Sequence, residues 1–354
     1  MNSIFHIITT LNRGGAENQL LVLVREQVEN GFDVHVTYLK GNPELRAELE
    51  ISGATVHSEM AEHSAIIQPL IFRRLIKGKS SIVHAHLPRA ELVGALTPAR
   101  FKFFTSRHNS EPFFPGAPRI ISNFLSRLVE FRATKIIAIS EAVKNFLISQ
   151  GEVTNLNKIA VILYGYRPSL FRDAEIVGTG SKDFAIGTIS RLTEQKDIPT
   201  LLRAFSDFRE KGSNAHLYIV GDGKSAEDLK SLTQDLSLHD FVHFLGRSSQ
   251  VMNFLMSLDV FVLTSKYEGF GMVLLEAMDA RVPIVASRNS AIPEVLGEDF
   301  PGLCETGNFV EFSQKIASLQ DETVRETYLN LQEKRLKLFG AKVMSKKVSE
   351  TYLA

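Results

Sequence analysis

The sequence predicts an α/β protein made of two doubly wound domains, each with a parallel sheet covered by helices on both faces. At 354 residues the chain is long for one domain. Short apolar runs alternate with amphipathic stretches, an order that is typical of parallel strands joined by helices. The alternation lapses once, at 165–183, where proline, glycine and mixed charge collect. This lapse indicates a single linker between two domains.

Eleven apolar runs predict strands. They are SIFHII, FDVHVTYL, SIVHAH, FKFFTS, KIIAIS and KIAVIL in the first half, and FAIGTIS, HLYIVG, FVHFLG, VFVLTS and PIVAS in the second. Helical patterns lie between them, such as AENQLLVLVREQVENG, for which Gly31 is the expected C-cap. We therefore predict a first domain at 1–168, a linker at 169–182 and a second domain at 183–335. The charged helical end, 336–354, is expected to pack back on the first domain.

Composition narrows the functional class. Net charge is zero, so the chain as a whole has no general attraction to nucleic acid. Residues 1–170 nevertheless hold 19 basic against 14 acidic side chains, which indicates an anionic partner for this half. The single cysteine, Cys304, excludes an intrachain disulfide. We interpret MNSIFHIITTLNRGG as a first core strand and not as a signal peptide, and no apolar run is long enough to cross a bilayer. The expected location is the cytoplasm.

Two doubly wound sheets imply a central cleft, and ligands of such sheets bind beyond the carboxyl ends of the strands. Arg191 follows the strand FAIGTIS directly, and Lys196 comes five residues later. A forked guanidinium and an ammonium point charge are the two cations that suit phosphate oxygens. The segment KYEGFG follows the strand VFVLTS at the same predicted edge. Surface cations in a helix-entry loop are the alternative explanation for Arg191 and Lys196.

The stretch YEGFGMVLLEAM combines a glycine loop with a helix start. Gly269 and Gly271 permit a close approach of ligand to backbone. The first N–H groups of the following helix have no partner inside it, and with the helix dipole they favour a diphosphate without any metal. Glu276 would lie near the second turn, within reach of a ribose. Glu268 would lie on the other side of the phosphates, where a transferred sugar belongs.

This stretch resembles the signature of the retaining family-four glycosyltransferases of the GT-B class. The likeness extends over nearly the whole chain. It includes LNRGGAE, HAHLPRA, RHNS, AISEAVKNFL, GTISRLTEQKD, LYIVGDG, FLGRSSQV and AIPEVL. Two positions depart from the family pattern: Tyr164 stands where the family commonly has Asn, and Ala291 replaces a Gly. Neither position belongs to the predicted phosphate contacts.

The resemblance implies a set of residues that bind the donor through phosphate, sugar or ribose. These are Arg191, Lys196, Glu268, Phe270, Gly271, Met272, Val273 and Glu276. It also implies that Gly14 and Gly15 let the first domain close over the phosphates. His108 would lie near the anomeric carbon and the acceptor hydroxyl, and the backbone of 246–251 would contact the base. His108, Glu268, Arg191 and Lys196 form the expected catalytic set.

Two further features are ambiguous in the sequence. His84 and His86 in HAH share a strand face and permit a metal site. We predict no metal and no cofactor, because no acidic or cysteine partner lies nearby and Asp-x-Asp is absent from the chain. The segment Arg100 to Lys135 interleaves seven basic residues with aromatic and aliphatic ones. It fits either a peripheral contact with an anionic membrane or ordinary core elements with surface arginines.

We therefore expect a retaining glycosyltransferase that moves a hexose or N-acetylhexosamine from a nucleoside-diphosphate sugar, with uridine as the default base. The expected acceptor is a hydroxyl of a glycan or lipid-linked glycan in cell-surface polysaccharide synthesis. A front-face route, in which the leaving phosphate takes the acceptor proton, fits a site rich in donors and poor in bases. A nucleotide-sugar epimerase and a non-catalytic nucleotide-sugar-binding subunit are the alternatives, which product analysis with a labelled donor separates.

Overall fold

The structure is a computed structural model that describes residues 3–78, 81–168, 183–248 and 250–353. The chain divides into two compact units, one of residues 1–167 with 339–354 and one of residues 168–338. The linker predicted at 169–182 lies outside the described residues. Within the described residues, no helix combines the length and the apolar character needed to cross a bilayer.

The first unit contains a seven-stranded parallel sheet in the order β3-β2-β1-β4-β5-β6-β7. Its strands are β1 Ser3–Ile8, β2 Asp33–Tyr38, β3 Thr55–His57, β4 Ser81–His86, β5 Lys102–Arg107, β6 Lys135–Ala138 and β7 Ile159–Val161. Its helices are α1 Gly15–Glu29, α2 Arg46–Ile51, α3 Gln68–Leu75, α4 Pro88–Leu96, α5 Arg119–Arg132 and α6 Glu141–Ser149. The C-terminal α14, Ala341–Leu353, also belongs to this unit.

The second unit contains a six-stranded parallel sheet in the order β10-β9-β8-β11-β12-β13. Its strands are β8 Phe184–Ile189, β9 Ala215–Val220, β10 Val242–Gly246, β11 Val260–Leu263, β12 Ile284–Ser287 and β13 Leu303–Cys304. Its helices are α7 Ile198–Glu210, α8 Ala226–Asp235, α9 Val251–Met256, α10 Met272–Asp279, α11 Ile292–Leu296, α12 Phe309–Ser318 and α13 Glu322–Leu336. Two parallel-sheet, Rossmann-like α/β units confirm the predicted fold class.

The strands formed where the apolar runs predicted them because parallel strands are buried on both faces. All six residues of β1 and all four of β11 and of β12 are buried. The short strands β3 and β13 were not predicted. The helix α1 ends at Glu29 with Asn30 as its C-cap, one residue before the predicted cap Gly31, which follows at φ 81°. Left-handed backbone there suits glycine.

The C-terminal helix α14 packs on α1 in the first unit. Tyr166 and Gly340 form a parallel bridge, and the Ala341 amide donates to the Tyr166 carbonyl at 3.0 Å. Gly165 explains how close the two segments come, since a Cβ added there would lie 2.7 Å from the Cα of Ala341. Any larger residue would push α14 away from the sheet.

The basic and aromatic segment of the first unit divides into core and surface. Phe103, Phe104 and Phe113 are fully buried, so this part is core and not an interface. The exposed apolar residues lie on α5: Ile120, Ile121, Phe124 and Phe131, the last with 85% of its surface exposed. The buried residues of α5 are Ser122, Ser126, Val129 and Glu130. This helix is therefore apolar toward solvent and largely polar toward the protein.

A buried ion triad connects β5 with α4 and with the residues after α6. Nε of Arg107 lies 2.8 Å from Glu91 Oε2, and Nη1 lies 2.9 Å from Glu152 Oε2. Glu152 also accepts from the Phe113 amide at 2.7 Å, and the guanidinium lies 4.4 Å from the centre of the Phe113 ring. One cation thus compensates two carboxylates that have almost no contact with water.

We expect Arg107→Met to lower the free energy of unfolding of the first unit by about 3–5 kcal/mol, because it leaves two buried carboxylates without a cation. Urea unfolding followed by far-UV circular dichroism measures this. Arg73→Met, the same change at an exposed position of α3, serves as the control and should cost less than about 0.5 kcal/mol. Equal unfolding midpoints for the two variants would contradict the assignment.

Candidate functional site

The second unit brings two predicted segments to one place. The strand order reverses between β8 and β11, which are hydrogen-bonded neighbours, although 70 residues separate Ile189 from Val260 in sequence order. Parallel strands end at the same edge of the sheet, so the residues after β8 and the residues after β11 meet there. Ligands of doubly wound sheets bind at such a switch point.

The loop after β8 carries both predicted cations and is hydrogen-bonded to the loop after β11. Arg191 is exposed, and its Nη2 donates to Gln195 Oε1 at 3.2 Å. Nε2 of Gln195 donates to the Tyr267 carbonyl at 2.9 Å, and the Lys266 amide donates to the Gln195 carbonyl at 2.8 Å. Gln195, which sequence reasoning did not single out, therefore fixes the distance between the two loops.

Lys196 and Glu268 form a short ion pair at this edge. Nζ of Lys196 lies 2.6 Å from Glu268 Oε1, which also accepts from Ser265 Oγ at 2.7 Å. Only 13% of the lysine side chain and 9% of the glutamate side chain are exposed. The sequence predicted separate roles for these residues, and the structure joins them as an ion pair. An ammonium group has three donors, so Lys196 can hold this carboxylate and a phosphate oxygen together.

The helix α10 begins beside this pair. Gly271 precedes it with φ 89° and ψ 59°, a left-handed conformation that a side chain would strain. The side chain of Phe270 is buried and Met272 is the first helical residue. Leu274 and Ala277 are fully buried, whereas Val273 is half-buried. The amino end of α10 therefore directs the positive end of its dipole toward the edge of the sheet.

Glu276 lies in the second turn of α10, where the sequence placed it. It is partly buried, and burial raises the pKa of its carboxyl group to about 7. Removal from water disfavours the charged form, and this is the only cause of the shift. A carboxyl group that titrates near neutral pH can accept hydrogen bonds from a diol more strongly once it is ionised.

A pocket of about 390 Å³ opens beyond the ends of β8, β9 and β10. Its charged lining residues are Arg191, Asp222 and Arg247. Gly221 and Gly223 let the loop after β9 touch the loop after β8, because added Cβ atoms would lie 1.8 Å and 2.3 Å from carbonyl oxygens there. Arg247 was missed as an individual residue, although the predicted base-contact segment 246–251 contains it. Its position directly after a strand was the available signal.

Gly14, Gly15 and His108 belong to the first unit. Gly14 is the N-cap of α1, and a Cβ there would lie 2.5 Å from a carboxylate oxygen of Glu17. Glu17 Oε1 accepts from Thr10 Oγ1 at 2.8 Å. No described atom lies within 4 Å of a Cβ added to Gly15. The two glycines therefore keep the start of α1 open on one side and tightly packed on the other.

His108 follows β5 and has partners at both ring nitrogens. Nδ1 is hydrogen-bonded to the Tyr164 hydroxyl, and Nε2 lies 3.1 Å from His86 Nδ1. Burial, with a smaller contribution from Arg107, lowers the pKa of His108 to about 3. The imidazole is therefore neutral at physiological pH. Tyr164, noted as a departure from the family pattern, proves to be a direct partner of the predicted catalytic histidine.

The histidine pair suggested by HAH has a third member. His6 on β1 lies beside His84 and His86 on β4, and one nitrogen of each lies within 4.8 Å of the others. All three rings are buried. Neutral imidazoles are metal ligands, so residue type and spacing alone permit a metal ion here. The nitrogens of these rings, however, already have hydrogen-bond partners within the protein.

Two family models match the chain. The model described as "Glycosyltransferase Family 4" covers residues 13–169, and the model described as "Glycosyl transferases group 1" covers residues 172–337. Together they account for nearly the whole chain, and in sequence the first ends and the second begins close to residues 167–168, where the two units divide.

Curated relatives are glycosyltransferases and related synthases. A capsular polysaccharide biosynthesis glycosyltransferase, CapM of Staphylococcus aureus, is 25% identical over 99% of this chain and 96% of its own. N-acetyl-alpha-D-glucosaminyl L-malate synthase of Bacillus anthracis is 28% identical over 77% and 73%. A lipopolysaccharide core glycosyltransferase, LpsE of Rhizobium meliloti, is 26% identical over 64% and 71%.

Solved structures share the fold at low identity. HepE of Anabaena, solved with UDP and glucose, superposes with a TM-score of 0.83 at 20% identity over 100% of both chains. TarM of S. aureus, in a complex that contains UDP, gives a TM-score of 0.81 at 13% identity over 100% of both chains. With both family models matched and the GT-B fold in common, this chain belongs to the family-four, group 1 glycosyltransferases and is a glycosyltransferase enzyme.

Proposed function

We propose that the protein is a retaining transferase that uses a UDP-hexose or UDP-N-acetylhexosamine, without a metal ion. The Lys196–Glu268 ion pair beside the amino end of α10 carries the proposal. A diphosphate at this edge would meet the ammonium group of Lys196, the guanidinium of Arg191 and the helix dipole. The relatives add support for the donor, since HepE was solved with UDP and glucose.

The proposed chemistry is stabilisation of the leaving diphosphate. As the bond from the anomeric carbon to the phosphate oxygen breaks, negative charge grows on the diphosphate, and donors already fixed in place stabilise it. Ser265 and Lys196 together hold the Glu268 carboxylate, which suits it to accept hydrogen bonds from sugar hydroxyls. The acceptor oxygen then bonds to the anomeric carbon on the same face, and its proton passes to the leaving phosphate.

We propose a hydroxyl of a glycan or lipid-linked glycan as the acceptor, in the synthesis of a cell-surface polysaccharide. The capsular and lipopolysaccharide transferases among the relatives support this acceptor class. The proposed location is the cytoplasm, with peripheral contact to the inner face of the plasma membrane. The exposed apolar side of α5, next to Arg119 and Arg127, supports that contact.

The first test is transfer by the purified protein from radiolabelled UDP-sugars to lipid-linked glycan acceptors, with the anomeric configuration of the product read by NMR. Arg191→Ala and Lys196→Ala should each lower kcat/KM by about 10²–10³-fold, because each removes a donor to the leaving group. Retention of configuration is the expected outcome.

Arg203→Ala on α7 and Lys230→Ala on α8 are matched controls at exposed positions, and both should leave transfer within about twofold of wild type. Arg191→Ala is the more decisive variant, because Arg191 is exposed and its loss leaves no buried charge. Transfer by Arg191→Ala at the rate of Arg203→Ala would refute the diphosphate role. An isomerised donor without a new glycoside would instead indicate an epimerase.

A second prediction concerns pH. If Glu276 accepts from the ribose hydroxyls, UDP favours its ionised form, and below pH 7 binding must also remove the proton. The affinity for UDP, relative to Glu276→Gln, should therefore fall by up to about tenfold from pH 8 to pH 6, one pH unit below the pKa. Calorimetry on both proteins measures this. Because UDP itself titrates in this range, only the difference counts, and parallel pH profiles would contradict the ribose assignment.

A third prediction tests membrane contact. Sedimentation with vesicles that contain anionic lipid should pull down the protein at low salt, and less of it as salt is raised. Phe124→Ser with Phe131→Ser should abolish sedimentation, since both rings are largely exposed on one face of α5. Leu338→Ser, at an exposed apolar residue outside α5, is the control. Equal sedimentation of wild type and the double variant would remove α5 from the membrane contact.

A further inference from the structure

Eight polar side chains of the first unit are joined end to end by hydrogen bonds. In order they are Tyr164, His108, His86, His6, Gln27, Tyr352, His84 and Ser106. We call this set the histidine chain. It starts beside the predicted catalytic histidine, passes through β4 and β1, and reaches α1 and the last turn of α14 before it returns to β4 and β5.

The amide of Gln27 sets the direction of the first half. Its Oε1 lies 2.8 Å from His6 Nε2, and because an amide oxygen only accepts, His6 must carry its proton on Nε2. Nδ1 of His6 is then an acceptor, so His86 donates to it from Nε2 at 3.0 Å. By the same logic His108 donates from Nε2 to His86, and the Tyr164 hydroxyl donates to Nδ1 of His108.

The other end of the same amide sets the second half. Nε2 of Gln27 donates to the Tyr352 hydroxyl at 3.3 Å, and Tyr352 in turn lies 2.7 Å from His84 Nδ1. If Tyr352 donates there, His84 carries its proton on Nε2 and donates to Ser106 Oγ at 2.8 Å. All seven hydrogen bonds then run in one direction, and all four histidines have the same tautomer.

The surroundings keep the rings neutral. His6, His84 and His86 are at most 2% exposed. Burial lowers the pKa of His6 to about 4 and places the pKa values of His84 and His86 well below their usual range. A charged imidazole would donate from both nitrogens, and two donors would then face each other in the chain. Neutrality and a single direction therefore support each other.

We propose that the histidine chain fixes His108 as the neutral tautomer with its proton on Nε2, and that His86, His6 and Gln27 are positioning residues for glycosyl transfer. The role in transfer rests on the proposed function, in which His108 lies near the reacting carbon. Held in this way, His108 presents its ring in one orientation and does not remove the acceptor proton. That leaves the proton to the departing phosphate. Tyr164, where the family commonly has Asn, completes the chain.

The hydrogen bonds of the histidine chain also argue against a metal ion at His6, His84 and His86. His84 already uses both nitrogens with Tyr352 and Ser106, and His6 shares its Nδ1 with His86. A metal ion bound by one nitrogen from each ring would break at least two of these hydrogen bonds. Metal analysis of the purified protein is therefore part of the test, and one tightly held zinc ion per chain would overturn the proposal.

The direct experiment is ¹⁵N NMR of the imidazole nitrogens in histidine-labelled protein, assigned with single substitutions. At neutral pH, His6, His84, His86 and His108 should all show a protonated Nε2 and an unprotonated Nδ1. Tyr164→Phe should change the Nδ1 signal of His108, and Tyr352→Phe that of His84, with the other rings unaffected. A protonated Nδ1 on His108 in the wild type would overturn the proposal.

The variant Gln27→Glu tests the direction of the hydrogen bond between Tyr352 and His84. A carboxylate at this position accepts from His6 Nε2 and from the Tyr352 hydroxyl, so Tyr352 can no longer donate to His84. His84 should then move its proton to Nδ1, whereas His6, His86 and His108 keep theirs on Nε2. Should this variant fail to fold because of its buried charge, Tyr352→Phe still separates the two halves. An unchanged tautomer of His84 in folded Gln27→Glu would contradict the proposed direction of the histidine chain.

The role in transfer is tested by two changes at His86. His86→Leu removes the acceptor for His108, and we expect about a tenfold loss of kcat with KM unchanged and a mixed tautomer at His108. His86→Asn can place Oδ1 near the former Nδ1, so kcat should return to within about threefold of wild type. A kcat in His86→Leu equal to wild type would overturn the positioning role. The NMR experiment needs no substrate, so it tests the tautomers of the histidine chain even if transfer from UDP-sugars fails.

Discussion

The contact between Lys196 and Glu268, 2.6 Å long and largely shielded from water, is the interaction on which the site depends. It joins the loop after β8 to the loop after β11, and it exists because these strands are neighbours at the point where the strand order reverses. Gln195 strengthens the same connection through the Tyr267 carbonyl. The pair places one positive and one negative group beside the start of α10, which suits phosphate on one side and sugar hydroxyls on the other.

The parallel sheets could be predicted because buried strands leave a simple trace in sequence. The run VFVL is apolar throughout and SIFHII is apolar apart from Ser3 and His6, which is the pattern of strands covered on both faces. The strands β3 and β13, three and two residues long, are too short for any periodic pattern. A helix cap is equally local: Ser140 is the N-cap of α6, and its hydroxyl accepts from the Val143 amide at 3.0 Å. Caps depend on neighbours in sequence, which a single chain displays directly.

Partners that are distant in sequence could not be predicted. Lys196 and Glu268 are 72 residues apart, and His6 and His86 are 80 apart, so only the folded sheet brings each pair together. Residue type also did not predict the burial of the phenylalanines, since Phe104 is buried in the core and Phe131 is exposed in the same basic segment. The sequence proposed roles for single residues such as Lys196 and His108. The structure adds what holds them: Glu268 for the lysine, and His86 with Tyr164 for the histidine.

The two units use opposite electrostatic means at their sheet edges. In the second unit, exposed Arg191 and largely shielded Lys196 place positive charge where the leaving group is proposed to lie. In the first unit, burial keeps the histidines neutral, and hydrogen bonds alone orient their rings. Stabilisation of a leaving group needs charge, whereas orientation of an acceptor needs fixed geometry.

The most direct measurement is a crystal structure of the protein with UDP bound. We predict that the β-phosphate lies against the first turn of α10, within hydrogen-bond distance of Lys196 Nζ, and that the ribose hydroxyls contact Glu276. A diphosphate bound elsewhere in the second unit, with the Lys196–Glu268 pair unchanged and solvent at the start of α10, would contradict the proposed diphosphate site.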